Sequence, residues 1–296
     1  MKIDHSQIKD ALLSEVAKAG SARKAANLLG ISDATVSKIL NDKASDVSEK
    51  MWLKLANYFG LTSWRIIGTA NFNTIHSVCE DAQNRHRLRC ILGYSGAGKT
   101  TALKKYRMRK DVDNAFYVLC QKAMSQRELL LEIMKSMGLN QSATPYRMLQ
   151  LISERLNTLE SPLLMLDDAG KLNNDKLMLV QQIRDMTEHN AGIVLAGVTY
   201  MYDNIQKALR RQKMGIPELV SRIGQFQNMQ EPTLPEVMQI CKVNGIESEP
   251  VQRAIFHRFK EYRQIETSVL DLLHYASRKD EIITVRLAEQ IWGVDY

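Results

Sequence analysis

The stretch that most constrains this chain is Gly93-Tyr94-Ser95-Gly96-Ala97-Gly98-Lys99-Thr100, which fits GxxxxGK[ST]. It follows the apolar run Leu88–Leu92 and precedes a segment with helical spacing, so the pattern comes with its strand–loop–helix context. Each residue type has a physical reason. Glycines permit a turn that points successive backbone N–H groups toward phosphate oxygens. Lys99 supplies positive charge to the β and γ phosphates, and the Thr100 hydroxyl is suited to Mg²⁺. A helix starting near Lys99 adds the positive end of its dipole. The segment Gly93–Thr101 is therefore expected to bind a nucleoside triphosphate.

Such a loop belongs to an α/β sheet. Apolar runs recur at 88–92, 115–120, 162–166 and 192–198, each followed by a helical pattern, which predicts a mostly parallel sheet with helices on both faces. The run Leu163-Leu164-Met165-Leu166 ends in Asp167-Asp168. A strand here delivers Asp167 to the sheet's carboxyl end, where it is placed to hold the metal shell. Asp168 is then the candidate for polarising an attacking water; the alternative is a pair of acids capping a helix.

The chain of 296 residues has room for about two domains at roughly 150 residues each. Residues 1–62 read as short helices, and residues 21–40 have helix-turn-helix spacing, with Gly30 at the turn. Val36 and Ile39 anchor the second helix, which leaves Asp33, Thr35, Ser37 and Lys38 outward for base edges or phosphates. Nine Lys/Arg against seven Asp/Glu give this segment a weak electrostatic pull, and a protein-interaction module of the same shape is the alternative. Residues 63–85 show no strong periodicity and read as a linker, with at most one helix. The core is expected over 86–231. Beyond Pro232 and Pro235 the pattern turns helical again, a C-terminal helical lid over 232–296.

Charge points to a partner. Forty Lys and Arg stand against 33 Asp and Glu, and from Arg85 to Lys110 nine basic residues occur with no acid. Clustered positive charge is the footprint of a polyanion, with a merely solvated helix face as the alternative. Lys104, Lys105, Arg107, Arg109 and Lys110, on or just after the helix that follows the loop, are the candidate DNA contacts, and Lys171 is a weaker one. No apolar run is long enough for a bilayer, the first residues carry no export signal, and four scattered cysteines lack metal spacing. A cytoplasmic protein with no membrane partner is expected.

Taken in order, these parts resemble the Mu B family of AAA+ transposition regulators. The stretches that carry the likeness are ILGYSGAGKTTALKKYRMR, LLMLDDAGKL, GIVLAGVTYMYDNI and ELVSRIGQF. The resemblance implies an ATPase that uses ATP and Mg²⁺ and binds double-stranded DNA with little sequence preference. It would assemble as an ATP-dependent homo-oligomeric filament, deliver that DNA to a transposase and activate it. Lys99 and Thr100 then match the Walker A pair, Asp167 the Walker B metal ligand, and Arg222 the arginine finger that reaches a neighbouring subunit's triphosphate. An ordinary surface ion pair is the alternative for Arg222.

Three positions depart from the family pattern. Asp168 replaces the usual Glu, the polar sensor after the fourth strand falls on Val198 with Thr199 beside it, and the lid arginine falls near Thr267, one turn after Arg263. Good ATP affinity with slow turnover, raised by DNA and transposase, is the resulting expectation. Rival readings are a helicase-loader-like ATPase and an ATP-switched helix-turn-helix transcription regulator; the latter would favour one operator by roughly 10³ or more over random DNA.

Overall fold

In the computed structural model, residues 5–41, 46–59, 64–109, 111–139, 143–279 and 281–293 are described. They divide into two compact units, Gly68–Glu231, and a second formed jointly by Met1–Ile67 and Pro232–Tyr296.

The first unit is built on five parallel strands, β1 (Leu88–Leu92), β2 (Ala115–Leu119), β3 (Leu163–Asp167), β4 (Gly192–Gly197) and β5 (Ile223–Asn228), in the order β2-β3-β4-β1-β5. β1 and β3 are buried along their whole length, as strands covered on both faces must be. β4 therefore lies between the strand that carries the glycine-rich loop and the strand that ends in Asp167.

The N-terminal helices are α1 (His5–Ala19), α2 (Ala22–Leu29), α3 (Asp33–Leu40) and α4 (Glu49–Tyr58). The helices of the sheet unit are α5 (Ala70–Asn84), α6 (Lys99–Arg107), α7 (Gln126–Ser136), α8 (Pro145–Thr158), α9 (Asn174–Met186), α10 (Tyr200–Arg210) and α11 (Ile216–Arg222). One apolar cluster joins α7 to α11 to one face of the sheet, and a second joins α5 and α6 to the other.

The expected linker at 63–85 is largely a helix of this unit. α5 is capped by Thr69, whose hydroxyl accepts the Phe72 N–H, and buries Asn71, Ile75, Cys79, Ala82 and Gln83. Two of those five are amides, which hid the apolar stripe. The Asn71 side chain donates to the Gln230 carbonyl at 2.8 Å and accepts the Gln230 N–H at 2.9 Å. Gln83 donates to the carbonyls of Asp113 and Ser161 and accepts the Tyr106 hydroxyl. These bonds satisfy buried polar groups that would otherwise cost about 1–3 kcal/mol each.

The second unit holds α1 to α4, with Ile8, Leu12, Ala26, Val36, Ile39, Trp52 and Leu55 in a common core. Ser32 caps α3 by accepting the Thr35 N–H, and Asp33, Ser37 and Lys38 face outward as expected. Thr35 is half-buried, its hydroxyl 2.9 Å from that of Ser32, so part of its hydrogen-bonding capacity is spent on the cap. The C-terminal helices α12 (Leu234–Val243), α13 (Glu249–Arg258), α14 (Tyr262–Lys279) and α15 (Val285–Ile291) enclose a further cluster. Trp64 and Ile67 pack on that cluster, and the Arg65 backbone exchanges hydrogen bonds with the Asn244 side chain. Arg278 of α14 lies over the Tyr58 ring of α4. The N- and C-terminal segments thus share one unit where two separate ones were expected. No helix among the described residues is long and apolar enough to cross a membrane.

A Cβ on Gly192 would lie 2.2 Å from the Ala82 carbonyl oxygen, so Gly192→Ala forces α5 off β4. We expect a loss of about 2 kcal/mol or more, read as a thermal midpoint several degrees lower; an unchanged midpoint contradicts this packing. His76 of α5 bonds the Ala102 carbonyl of α6 through Nε2 at 3.1 Å, and burial holds its pKa below the ordinary histidine value. The unfolded chain then takes up the proton first as pH falls below about 6.5, so this site costs stability from there down through the folded pKa. Thermal melts of His76→Gln should show a shallower loss between neutral and mildly acidic pH than the parent.

Candidate functional site

The loop between β1 and α6 carries Gly96 and Gly98 at φ +78° and +83°, left-handed conformations that glycine adopts without strain. Ala97 is buried beneath the turn, while Tyr94 and Ser95 lie on its outer side. Tyr94 donates its hydroxyl to the Gln230 carbonyl at 3.2 Å. Lys99, the first residue of α6, is 7% exposed, and its ammonium donates to the carbonyls of Gly93 at 2.8 Å and Tyr94 at 2.9 Å. Thr100 follows half-buried, and Thr101 is exposed.

Strand order brings Asp167 to this loop. The carboxylate is fully buried, and its Oδ2 accepts the Thr100 hydroxyl at 2.7 Å and the Tyr117 hydroxyl at 2.8 Å. Its Oδ1 accepts the Asp168 N–H at 2.9 Å. A hydroxyl and a carboxylate in contact, at the start of a helix and the end of a strand, form the hard oxygen donor set that Mg²⁺ takes alongside phosphate oxygens. Among the described residues no group of three or more His, Cys, Asp or Glu stands ready for a metal. The fit is therefore to a metal shared with a phosphate ligand. Tyr117 was not anticipated: a tyrosine in an apolar run reads as core, and only the sheet register places its hydroxyl near Asp167.

Asp168 occupies a left-handed backbone conformation, φ 54°, tolerable for aspartate. Its Oδ2 accepts the Lys171 ammonium at 2.7 Å across the short 3₁₀ turn Ala169–Lys171, and this bond raises the lysine's pKa. Lys171, expected at DNA, thus sits against the acid expected to act on water. Each engages the other.

The basic stretch is more divided than its sequence suggests. Arg85, Arg87 and Arg89 converge on Asp81, and Arg89 is 8% exposed. Arg109, expected among the DNA contacts, is gripped by Glu80 and Asp111 and lies over the Tyr106 ring. The charges that neutralise this stretch lie on α5 and past Lys110, outside the acid-free window. Tyr106 is core, as an aromatic at helical spacing usually is. Lys104, Lys105 and Arg107 are exposed together on α6, while Lys110 lies outside the described residues.

Arg222 ends α11, and its Nε donates to Asp185 Oδ1 at 2.9 Å. The next residue, Ile223, stands level with Leu88, whereas the loop follows Leu92. Arg222 is thus a strand's length from its own loop, about 15 Å at ~3.3 Å per residue. Val198 is half-buried between β4 and α10, and Thr199 stands at the start of α10 with its hydroxyl making no cap bond. Arg263 and Thr267 are exposed on α14.

Residues 82–205 match the model of the AAA domain. The chain is 26% identical over 250 residues to the Mu-like prophage FluMu DNA transposition protein B of Haemophilus influenzae, covering 80% of this chain and 83% of that protein. Among solved structures it is similar to the Orc1 protein of Aeropyrum pernix, solved in complex with DNA. That match has TM-score 0.56 and 14% identity, over 81% of this chain and 68% of the other. Cdc6p of Pyrobaculum aerophilum matches with TM-score 0.55 and 18% identity, over 76% and 66% respectively. A Walker-type ATPase of Pyrococcus abyssi matches with TM-score 0.51 and 14% identity, over 75% and 71%. These structural likenesses show the parallel-sheet fold with helices on both faces. Residues 82–205 thus match an AAA domain, and the chain is similar over most of its length to the DNA transposition protein B of a Mu-like prophage.

Proposed function

We propose that this chain is a cytoplasmic, ATP-dependent DNA-binding ATPase that assembles along target DNA as a filament and hands that DNA to a transposase, which it activates. One observation carries the reading: the loop lysine, Thr100 and Asp167 form a single site in a chain similar over most of its length to a DNA transposition protein B.

In this reading Gly93–Thr101 wraps the triphosphate, and the Lys99 ammonium exchanges its loop carbonyls for phosphate oxygens. Mg²⁺, which Thr100 and Asp167 would hold, supplies neutralisation of the β and γ oxygens. Asp168 orients the attacking water. Its ion pair with Lys171 tempers that role, because a carboxylate already accepting an ammonium at 2.7 Å is a weaker acceptor for a proton from water. Slow turnover follows. Arg222, too far from its own loop to touch the nucleotide there, acts on a neighbouring copy, which ties hydrolysis to assembly. Its bond to Asp185 is exposed to solvent, so it yields readily to a phosphate.

DNA contact falls to Lys104, Lys105 and Arg107, with Asp33, Thr35, Ser37 and Lys38 of the α2–α3 pair as a second, weaker surface. Phosphate contacts of this kind give affinity without sequence preference and weaken with salt.

The test separates nucleotide binding from assembly. Lys99→Ala should abolish ATP binding. Arg222→Ala should bind ATP as the parent does yet lose most DNA-stimulated turnover, on the order of 10³-fold if it acts as a finger. DNA-stimulated turnover of Arg222→Ala equal to the parent's would remove Arg222 from the mechanism.

A further inference from the structure

Resting on the nucleotide-site reading above, we infer that Tyr117 is a positioning residue for Asp167, and that Lys104 of the exposed basic face holds its ring in place. Tyr117 lies on β2, opposite Met165 of β3, so its side chain projects on the face that also carries Asp167 two residues on. Its hydroxyl donates to Asp167 Oδ2 at 2.8 Å, the same oxygen that accepts Thr100 at 2.7 Å. Oδ1 is fixed separately by the Asp168 N–H. Three donors from three elements therefore set the carboxylate's plane.

The contribution of Tyr117 differs from that of Thr100. Thr100 sits at the start of the loop helix and belongs to the phosphate side of the site, whereas Tyr117 approaches from the far side of β3, on the outermost strand. It holds Asp167 without being a ligand. On the outer side, the Lys104 ammonium stands 5.6 Å from the Tyr117 ring centroid, within cation–π range. The face that carries Lys104, Lys105 and Arg107 is thereby two contacts away from the metal-side carboxylate.

The test is binding of a fluorescent ATP analogue to the full chain, titrated with Mg²⁺, beside the same measurement in chelator. Tyr117→Phe keeps the ring and removes only the hydroxyl. We expect its half-maximal Mg²⁺ concentration to rise several-fold with analogue affinity in chelator unchanged, and the thermal midpoint to fall by a few degrees at most, because Thr100 and the Asp168 N–H still hold Asp167. Lys104→Met should raise the Mg²⁺ midpoint by a smaller factor in the parent and add nothing in the Tyr117→Phe background. An unmoved Mg²⁺ midpoint in Tyr117→Phe overturns the inference, as does a rise matched by an equal loss of analogue affinity in chelator. Full additivity of the two substitutions overturns the role of Lys104. If the parent protein itself fails to bind the analogue, the nucleotide-site reading fails instead, so the two failures are distinguishable.

Discussion

A buried carboxylate at the end of one strand has to be satisfied, and much of this molecule is arranged to do so. Asp167 is fully enclosed, and an ionised group there without partners would be prohibitive. The loop helix supplies Thr100, the outer strand supplies Tyr117, and the following residue supplies a backbone N–H. The strand order, with β4 between β1 and β3, brings those donors together. In the proposed reading, a metal ion and a triphosphate bound here would meet a carboxylate that the fold already holds in place.

The same economy shapes the surface. Four of the nine basic residues that stand out in the sequence serve the protein's own acids: three arginines on Asp81, and one on Glu80 and Asp111. What remains outward is compact, on the helix whose first residue is the loop lysine. A polyanion held there would sit one helix length from the nucleotide, about 13 Å at 1.5 Å per residue. This proximity gives the proposed coupling between DNA and hydrolysis a short physical path.

Much of this was legible in the sequence. The first four strands announced themselves as apolar runs, and the loop and Asp167 followed from spacing and strand context. β5 did not, because Ile223–Asn228 reads IGQFQN, an edge strand largely exposed and polar. α5 was lost because Asn71 and Gln83 occupy core positions and are satisfied by carbonyls distant in the chain. The ion pairs of Arg109 and Lys171 were hidden for a related reason: a charge count along the chain does not reveal which acids fold back onto it. Tyr117 left no signal short of the register between β2 and β3.

The measurement that bears most directly on the account is the size of the protein's assemblies on random-sequence duplex DNA, by electron microscopy or sedimentation, with and without a non-hydrolysable ATP analogue. The account predicts long multi-subunit assemblies on any sequence when the analogue is present and small, salt-labile complexes when it is stripped away. Equally tight binding in equally small units under both conditions would contradict it.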